Sequence, residues 1–290
     1  MLALLLALGG LLQDPLPPPS AISSSSDPPA IAVRVEQRAE RFDYHFDNPS
    51  NFEPGPLVPH FFEQRYESGN TWVLVEAAYR IAGTSLTTEV GLTPRITTFG
   101  SDIDTFFQPS GDVITSGTRG DVRLRSFALR QRIALSSWRR WTLGVTIGYR
   151  RTDMDYLPSD RIVTHRRPPS EVREPVAGNE NTWSHVLESG FMAGTAVVIG
   201  PRWLVTLDLD ALPITRARLN VSLPDKYPGE ISRADAFSFG AQARLAAARK
   251  SPRLSAGAAI TLGGAWGYRS TAHYHARHAG GQVFLTLPVF

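Results

Sequence analysis

Trp141-Thr-Leu-Gly-Val-Thr-Ile-Gly-Tyr149 decides how this chain of 290 residues is read. Trp141, Leu143, Val145, Ile147 and Tyr149 fall on one side of an extended backbone; Thr142, Gly144, Thr146 and Gly148 fall on the other. Alternation with a period of two marks a β-strand with one apolar face. Here an aromatic residue closes the apolar face at each end, and the opposite face is small and polar. That pairing suits a wall between lipid and a wet interior, as in a transmembrane β-barrel with aromatic girdles at both interfaces.

Working outward, the same rule recurs. Ile31, Val33 and Val35 alternate against Ala32, Arg34 and Glu36, and Val73, Val75, Ala77, Tyr79 and Ile81 against Leu74, Glu76, Ala78 and Arg80. Leu86, Val90, Leu92 and Ile96 read as outward with Glu89 and Arg95 inward, and Pro94 predicts a local distortion because it cannot donate to a ladder. Phe127, Leu129, Ile133 and Leu135 oppose Ser126, Ala128, Arg130 and Arg132; Trp203, Val205, Leu207 and Leu209 oppose Leu204, Thr206, Asp208 and Asp210. With further strands at Trp183–Ile199, 236–247, 253–268 and 281–290, the chain reads as about ten strands, an even number.

Short turns follow the even strands. The odd strands are followed by long polar loops, among them Ser101–Gly120 and Leu157–Asn181. An up-and-down barrel with short periplasmic turns and longer outer loops sorts its connections in this way. Trp141 and Trp203 begin strands at short turns, whereas Trp72, Trp183 and Trp266 lie toward the loops, which predicts two girdles. A soluble barrel would have to bury Glu76, Glu89, Arg130, Arg132, Asp208 and Asp210, and unpaired buried charge is very costly. The fold class expected is all-β: a closed, antiparallel, up-and-down transmembrane barrel. Its narrow lumen is expected to be filled by salt bridges and water, with a small pore as the third functional reading.

Composition bounds the rest. Net charge is +3 and cysteine is absent, and no internal apolar run approaches the ~20 residues a membrane helix needs. Arginines spread in alternation with apolar residues give no nucleic-acid footprint. Met1–Leu12 is an apolar run of signal-peptide length without the usual positive start. Residues 1–13 are therefore expected to be an atypical signal peptide, 14–29 a Pro/Ser-rich leader, and 30–290 the barrel, with the bacterial outer membrane as destination. The chain ends in Phe290, whose phase includes Pro288 and Gln282, while Val283, Leu285, Leu287 and Val289 form the stronger apolar set; a bulge near Pro288 would reconcile them.

One local motif carries chemistry: Gly100-Ser-Asp102-Ile-Asp104, an Asp-x-Asp at the loop end of strand three. Period two puts Asp102 and Asp104 on one face, where two close carboxylates repel and one holds a raised pKa suited to activating water. With ten long strands and five outer loops, this acidic pair resembles the omptins, outer-membrane proteases that cut between basic residues. The resemblance covers the layout of residues 30–290 and implies a second half-site, an Asp–His pair from the loop between strands seven and eight. Here that loop reads Leu219-Asn-Val-Ser-Leu-Pro-Asp225-Lys-Tyr227: Asp225 can stand for the aspartate, but no histidine is present. His185, near the loop end of strand six, is the candidate substitute base.

The expected role is a surface binding or structural barrel, or a diverged relative of the proteases. The alternative is an omptin-type endopeptidase using carboxylate-activated water. His273, His275 and His278 have metal-like spacing but no supporting carboxylate, so an exposed polar loop and no metal or other cofactor are expected. His165-Arg-Arg-Pro-Pro169 reads as a solvated loop or a lipopolysaccharide-phosphate contact. Expected partners are membrane lipid, lipopolysaccharide and a basic peptide, not nucleic acid, with the barrel a monomer.

Overall fold

The computed structural model describes residues 29–47, 60–176, 178–225, 227–251, 253–267 and 272–289. The expected signal peptide, nearly all of the leader, and Phe290 lie outside the described residues. In chain order the strands are β1 (Ala30–Asp47), β2 (His60–Ile81), β3 (Thr84–Leu92), β4 (Ile96–Phe107), β5 (Val113–Trp138), β6 (Trp141–Arg166), β7 (Pro169–Arg173), β8 (Glu180–Ile199), β9 (Trp203–Ser222), β10 (Ser232–Arg249), β11 (Ser255–Gly267) and β12 (Ala272–Pro288).

Every pairing is antiparallel. β1 pairs with β2 on one side and with β12 on the other, which closes the ring. β3 lies along Val73–Ile81 of β2 and β4 along His60–Glu67, so the two share one place in the wall. β7 pairs only with β6, as a flap folded back on its tip. Ten strand positions form the ring. The all-β closed barrel read from alternation is the fold of this chain.

Pro94 does interrupt the third position. Thr93 stitches the gap: its N–H donates to Ser126 O at 2.9 Å, and its Oγ1 accepts from Ser126 N at 2.7 Å. The break shifts the pleat by one residue, which exchanges the faces. Glu89 and Gly91 point inward before it; Ile96, Gly100 and Asp102 point inward after it. Two expectations are corrected: Ile96 packs against the interior core, and Arg95 turns outward to Asp155 at 2.6 Å. Trp72 is a third correction. It is 1% exposed, inside the lumen, with the Arg38 guanidinium 5.0 Å from its ring centroid. Trp266 does face outward, stacked on Phe239 at 6.5 Å. No bulge forms at Pro288, because the β1–β12 register runs unbroken from Phe46↔Ala272 to Ala30↔Pro288.

Much of the chain expected to be loop is wall. β4 and β5 continue to Phe107 and from Val113, and β6 continues to Arg166. The outward apolar stretch Val73–Ile81 matches the about 9–11 residues of a tilted crossing strand, yet β2 has 22 residues and β6 has 26. The barrel therefore stands well beyond an apolar band at its turn end. At that end Ala82 (φ 49°) and Gly83 (φ 82°) both take the left-handed conformation of a tight hairpin turn.

The lumen is filled in layers. Nearest the turns is a charged layer: Arg34 contacts Glu76 (2.8 Å) and Glu89, Arg132 contacts Asp210 (2.6 Å), Arg130 contacts Glu188 (3.5 Å), and Arg244 contacts Asp208 (3.4 Å). Above it Arg38 bridges Glu36 and Glu40 at 2.9 and 3.4 Å. Next comes an apolar layer of Phe42, Tyr44, Leu124, Met154, Leu219 and Tyr274, each nearly fully buried. The barrel is a packed vessel at this level, and the site lies on top of it.

Candidate functional site

Five strands deliver polar side chains to the lumen just above the apolar layer. β2 contributes Gln64 and Tyr66, β4 contributes Asp102 and Asp104, β5 contributes Thr118, β6 contributes Tyr156, and β8 contributes Glu180 and Thr182. Pairing register sets their heights: Gln64 lies opposite Asp102, Asp102 opposite Thr118, and Tyr156 opposite Glu180. Gly100 makes room for the arrangement, since a Cβ there would meet Val122 Cγ2 at 2.6 Å and Tyr66 Cδ1 at 2.9 Å.

Gln64 spans the lumen. Its Nε2 donates to Glu180 Oε1, and Thr182 Oγ1 donates to the same oxygen at 2.8 Å. The Thr118 and Tyr156 hydroxyls are 2.8 Å apart. Asp102 Oδ1 and Gln64 Oε1 are buried acceptors without a hydrogen-bond partner among the described residues. Gln64 is 0% exposed, Glu180 5% and Asp102 8%. No ion pair among the described residues reaches Asp102 or Glu180. Outward neighbours at this height are Glu63, Arg65, Ile103, Arg119, Asp155 and Asn181, and their mostly charged or polar character puts the site outside the apolar band.

Electrostatics follow from burial and like charge. Burial, then the Asp104 carboxylate, then Glu180, hold the Asp102 carboxyl well above the usual range. Burial pushes Glu180 up to about 7, opposed by the hydrogen bonds from Thr182 and Gln64 and reinforced by Asp104. Near neutrality the site therefore holds at least one neutral carboxyl group beside others able to accept a proton.

Of the residues singled out from sequence, Asp102 and Asp104 share the lumen face as period two required. Asp225 is exposed; its Oδ2 accepts from Asn179 N at 2.9 Å, which ties down the residue just before Glu180. His185 lies on the outer face of β8, its Nδ1 2.8 Å from the Tyr149 hydroxyl, while Thr182, Ser184 and Val186 point inward. The barrel wall separates it from Asp102. His275 and His278 occupy opposite faces of β12 rather than a common loop, and among the described residues no group of three side chains has metal-site geometry. His165 belongs to the tip of β6, where Asp112 accepts from its Nδ1 at 3.0 Å and from the backbone N–H of Arg166 and Arg167 at 3.0 and 2.6 Å. Glu180 and Gln64 are the site residues that sequence reading missed. The strand assigned to begin at Trp183 starts at Glu180, and Glu180 stands in phase with Thr182, Ser184 and Glu188, a signal that was present.

Comparison with known proteins identifies the fold. No family model matches the chain, and no curated protein matches it. Among solved structures it is similar to the outer membrane protease OmpT from Escherichia coli, with a TM-score of 0.62 at 8% identity, covering 93% of this chain and 99% of that one. The translocator domain of the autotransporter NalP from Neisseria meningitidis follows at a TM-score of 0.39 and 9% identity, covering 99% and 97%. The chain is a bacterial outer-membrane β-barrel with an omptin-like layout. Its loop end is accordingly the outer end.

Proposed function

We propose that this protein is a surface barrel whose acidic outer mouth receives basic segments of peptide. The observation that carries the reading is the set Asp102, Asp104 and Glu180, gathered above the buried apolar layer with two unsatisfied acceptors and, among the described residues, no cation paired to Asp102 or Glu180. A buried acceptor without a donor costs about 1–3 kcal/mol, and a ligand that brings an ammonium or guanidinium group removes that cost. The packed layers beneath speak for binding rather than permeation. Outward arginines above the apolar band, such as Arg216 and Arg218 on Asp235 (3.1 and 2.9 Å), are suited to lipopolysaccharide phosphates. The barrel works as a monomer in this reading.

Hydrolysis is the second reading, favoured by carboxyl groups whose surroundings differ, as acid–base work on water requires. Barrel refolded in detergent with lipopolysaccharide is the material for the test. It is titrated with a fluorescent peptide containing an Arg-Arg pair and with an analogue carrying norleucine at both positions. The expected result is saturable binding of the basic peptide, weakened at least tenfold in an Asp102→Asn/Asp104→Asn double variant. Equal binding of both peptides sinks the proposal. Mass spectrometry of the same mixtures reads cleavage.

A further inference from the structure

We propose that Asp102 and Glu180 are an acid–base pair, Asp102 carrying a proton and Glu180 accepting one, through which the mouth activates water without histidine. The inference rests on the hydrolytic reading above and deepens it by naming the second partner, which lies on β8 and not in the loop that carries Asp225.

Hydrogen-bond bookkeeping assigns the roles. Gln64 directs its amide hydrogens at Glu180 and leaves its carbonyl oxygen buried and unpartnered. Asp102 stands opposite Gln64 in register, with its own Oδ1 unpartnered and buried. Were Asp102 ionised, two buried acceptors, its Oδ1 and Gln64 Oε1, would have one unpartnered hydroxyl, that of Tyr66, between them. A proton on Asp102 turns one acceptor into a donor. Glu180 has the complementary setting, because two donors, from Gln64 and Thr182, converge on its Oε1. Donors aimed at one carboxylate oxygen favour the ionised form. The groups facing the pair are Tyr66 from β2, Asp104 from β4, Thr118 from β5, Tyr156 from β6 and Thr182 from β8. These are acidic or neutral; the cation at this height is Arg161 of β6, opposite Thr118, whose guanidinium is turned to Ser116 Oγ (3.2 Å) and Glu174 (3.4 Å), and among the described residues no ion pair joins it to Asp102 or Glu180.

The chemistry balances with water alone. Glu180 takes one proton from a water molecule as its oxygen bonds to the peptide carbonyl carbon, and Asp102 gives its proton to the carbonyl oxygen. The tetrahedral intermediate collapses as the C–N bond breaks, the nitrogen taking the proton held by Glu180 and the hydroxyl proton returning to Asp102. One acid and one amine leave, and the pair keeps one proton. Asp104, half-buried and two residues farther out on the same face, is the side from which a substrate enters.

The test combines infrared spectroscopy of the refolded barrel with peptide cleavage, using wild type, Asp102→Asn, Glu180→Gln and, as a control from the outer wall, His185→Ala. Heat-modifiable migration on gels establishes that each variant folds. Expected are a neutral-carboxyl band at pH 8 that Asp102→Asn removes, a bell-shaped pH profile of cleavage, and at least a hundredfold loss of cleavage in both lumen variants but not in His185→Ala. Cleavage without an Asp102-dependent neutral-carboxyl band overturns the pair and leaves the hydrolytic reading standing. An Asp102-dependent band in a barrel that cleaves no basic peptide at any pH overturns both.

Discussion

The two halves of the lumen solve the problem of buried charge in opposite ways. Toward the periplasm each carboxylate meets a guanidinium: Arg132 on Asp210, Arg34 on Glu76 and Glu89, Arg244 on Asp208. Toward the outside Asp102 and Glu180 meet amides, hydroxyls and another carboxylate. Coulomb attraction offsets desolvation in the first half. In the second, protons must do so. The difference teaches where chemistry can reside, since a paired charge holds the wall in place whereas an unpaired one retains free capacity for a ligand or a proton.

The comparison breaks most violently at Asp210, which is 3% exposed and lies within reach of both Arg132 (2.6 Å) and Arg130 (3.7 Å). Asp210→Ala takes the nearest carboxylate from Arg132 and leaves Arg130 with Glu188 alone, and is expected to destabilise the barrel by about 3 kcal/mol, read as a lower midpoint in guanidinium unfolding from lipid vesicles. Asp102→Asn removes no such partner and is expected to leave that midpoint unchanged or raise it. An equal loss in both variants would mean that the two halves do not differ.

A smaller effect comes from shape. Gly100→Leu drives a side chain into Val122 and the Tyr66 ring, at an expected cost of about 1–3 kcal/mol from overpacking. Peptide binding at the mouth should fall with it, whereas the charged layer should be undisturbed by hydrogen exchange. Protection lost uniformly along β2 would contradict that localisation.

Proton linkage sharpens the contrast further. The folded pKa of Glu180, about 7, lies above its unfolded value near 4.5. Its contribution to stability is therefore fully present below about pH 4.5 and is lost as pH rises through about 7. Hydrogen exchange in the outer parts of β4 and β8 should accelerate between pH 5 and 8, after correction for intrinsic chemistry, with the inner parts unaffected. Glu180→Gln should flatten that dependence. The smallest effect is expected on the outer surface: Asp235→Ala, which frees two exposed arginines, should change stability by less than about 1 kcal/mol.

Alternation carried most of the architecture into the sequence. Trp141–Tyr149 and Val73–Ile81 face as read, because a wall between two media imposes one rule on every strand. Where one residue shifts the pleat, as at Pro94, the faces downstream exchange, and the misassigned Ile96 and Arg95 sit just past that break. Trp72 misled for another reason, since an aromatic ring fits a girdle or a packed lumen equally well. At the mouth, Asp102 and Asp104 were legible because they are close in sequence. Glu180 lies far from Asp102 along the chain, and only barrel closure and the reach of Gln64 join them. His185 had the right residue type on the wrong side of the wall, a distinction that its phase with Leu187 already contained.

The apolar layer of Phe42, Leu124, Met154 and Tyr274 has a consequence for traffic. On the binding reading it serves as a floor beneath the mouth, so that a ligand entering from outside leaves by the same opening.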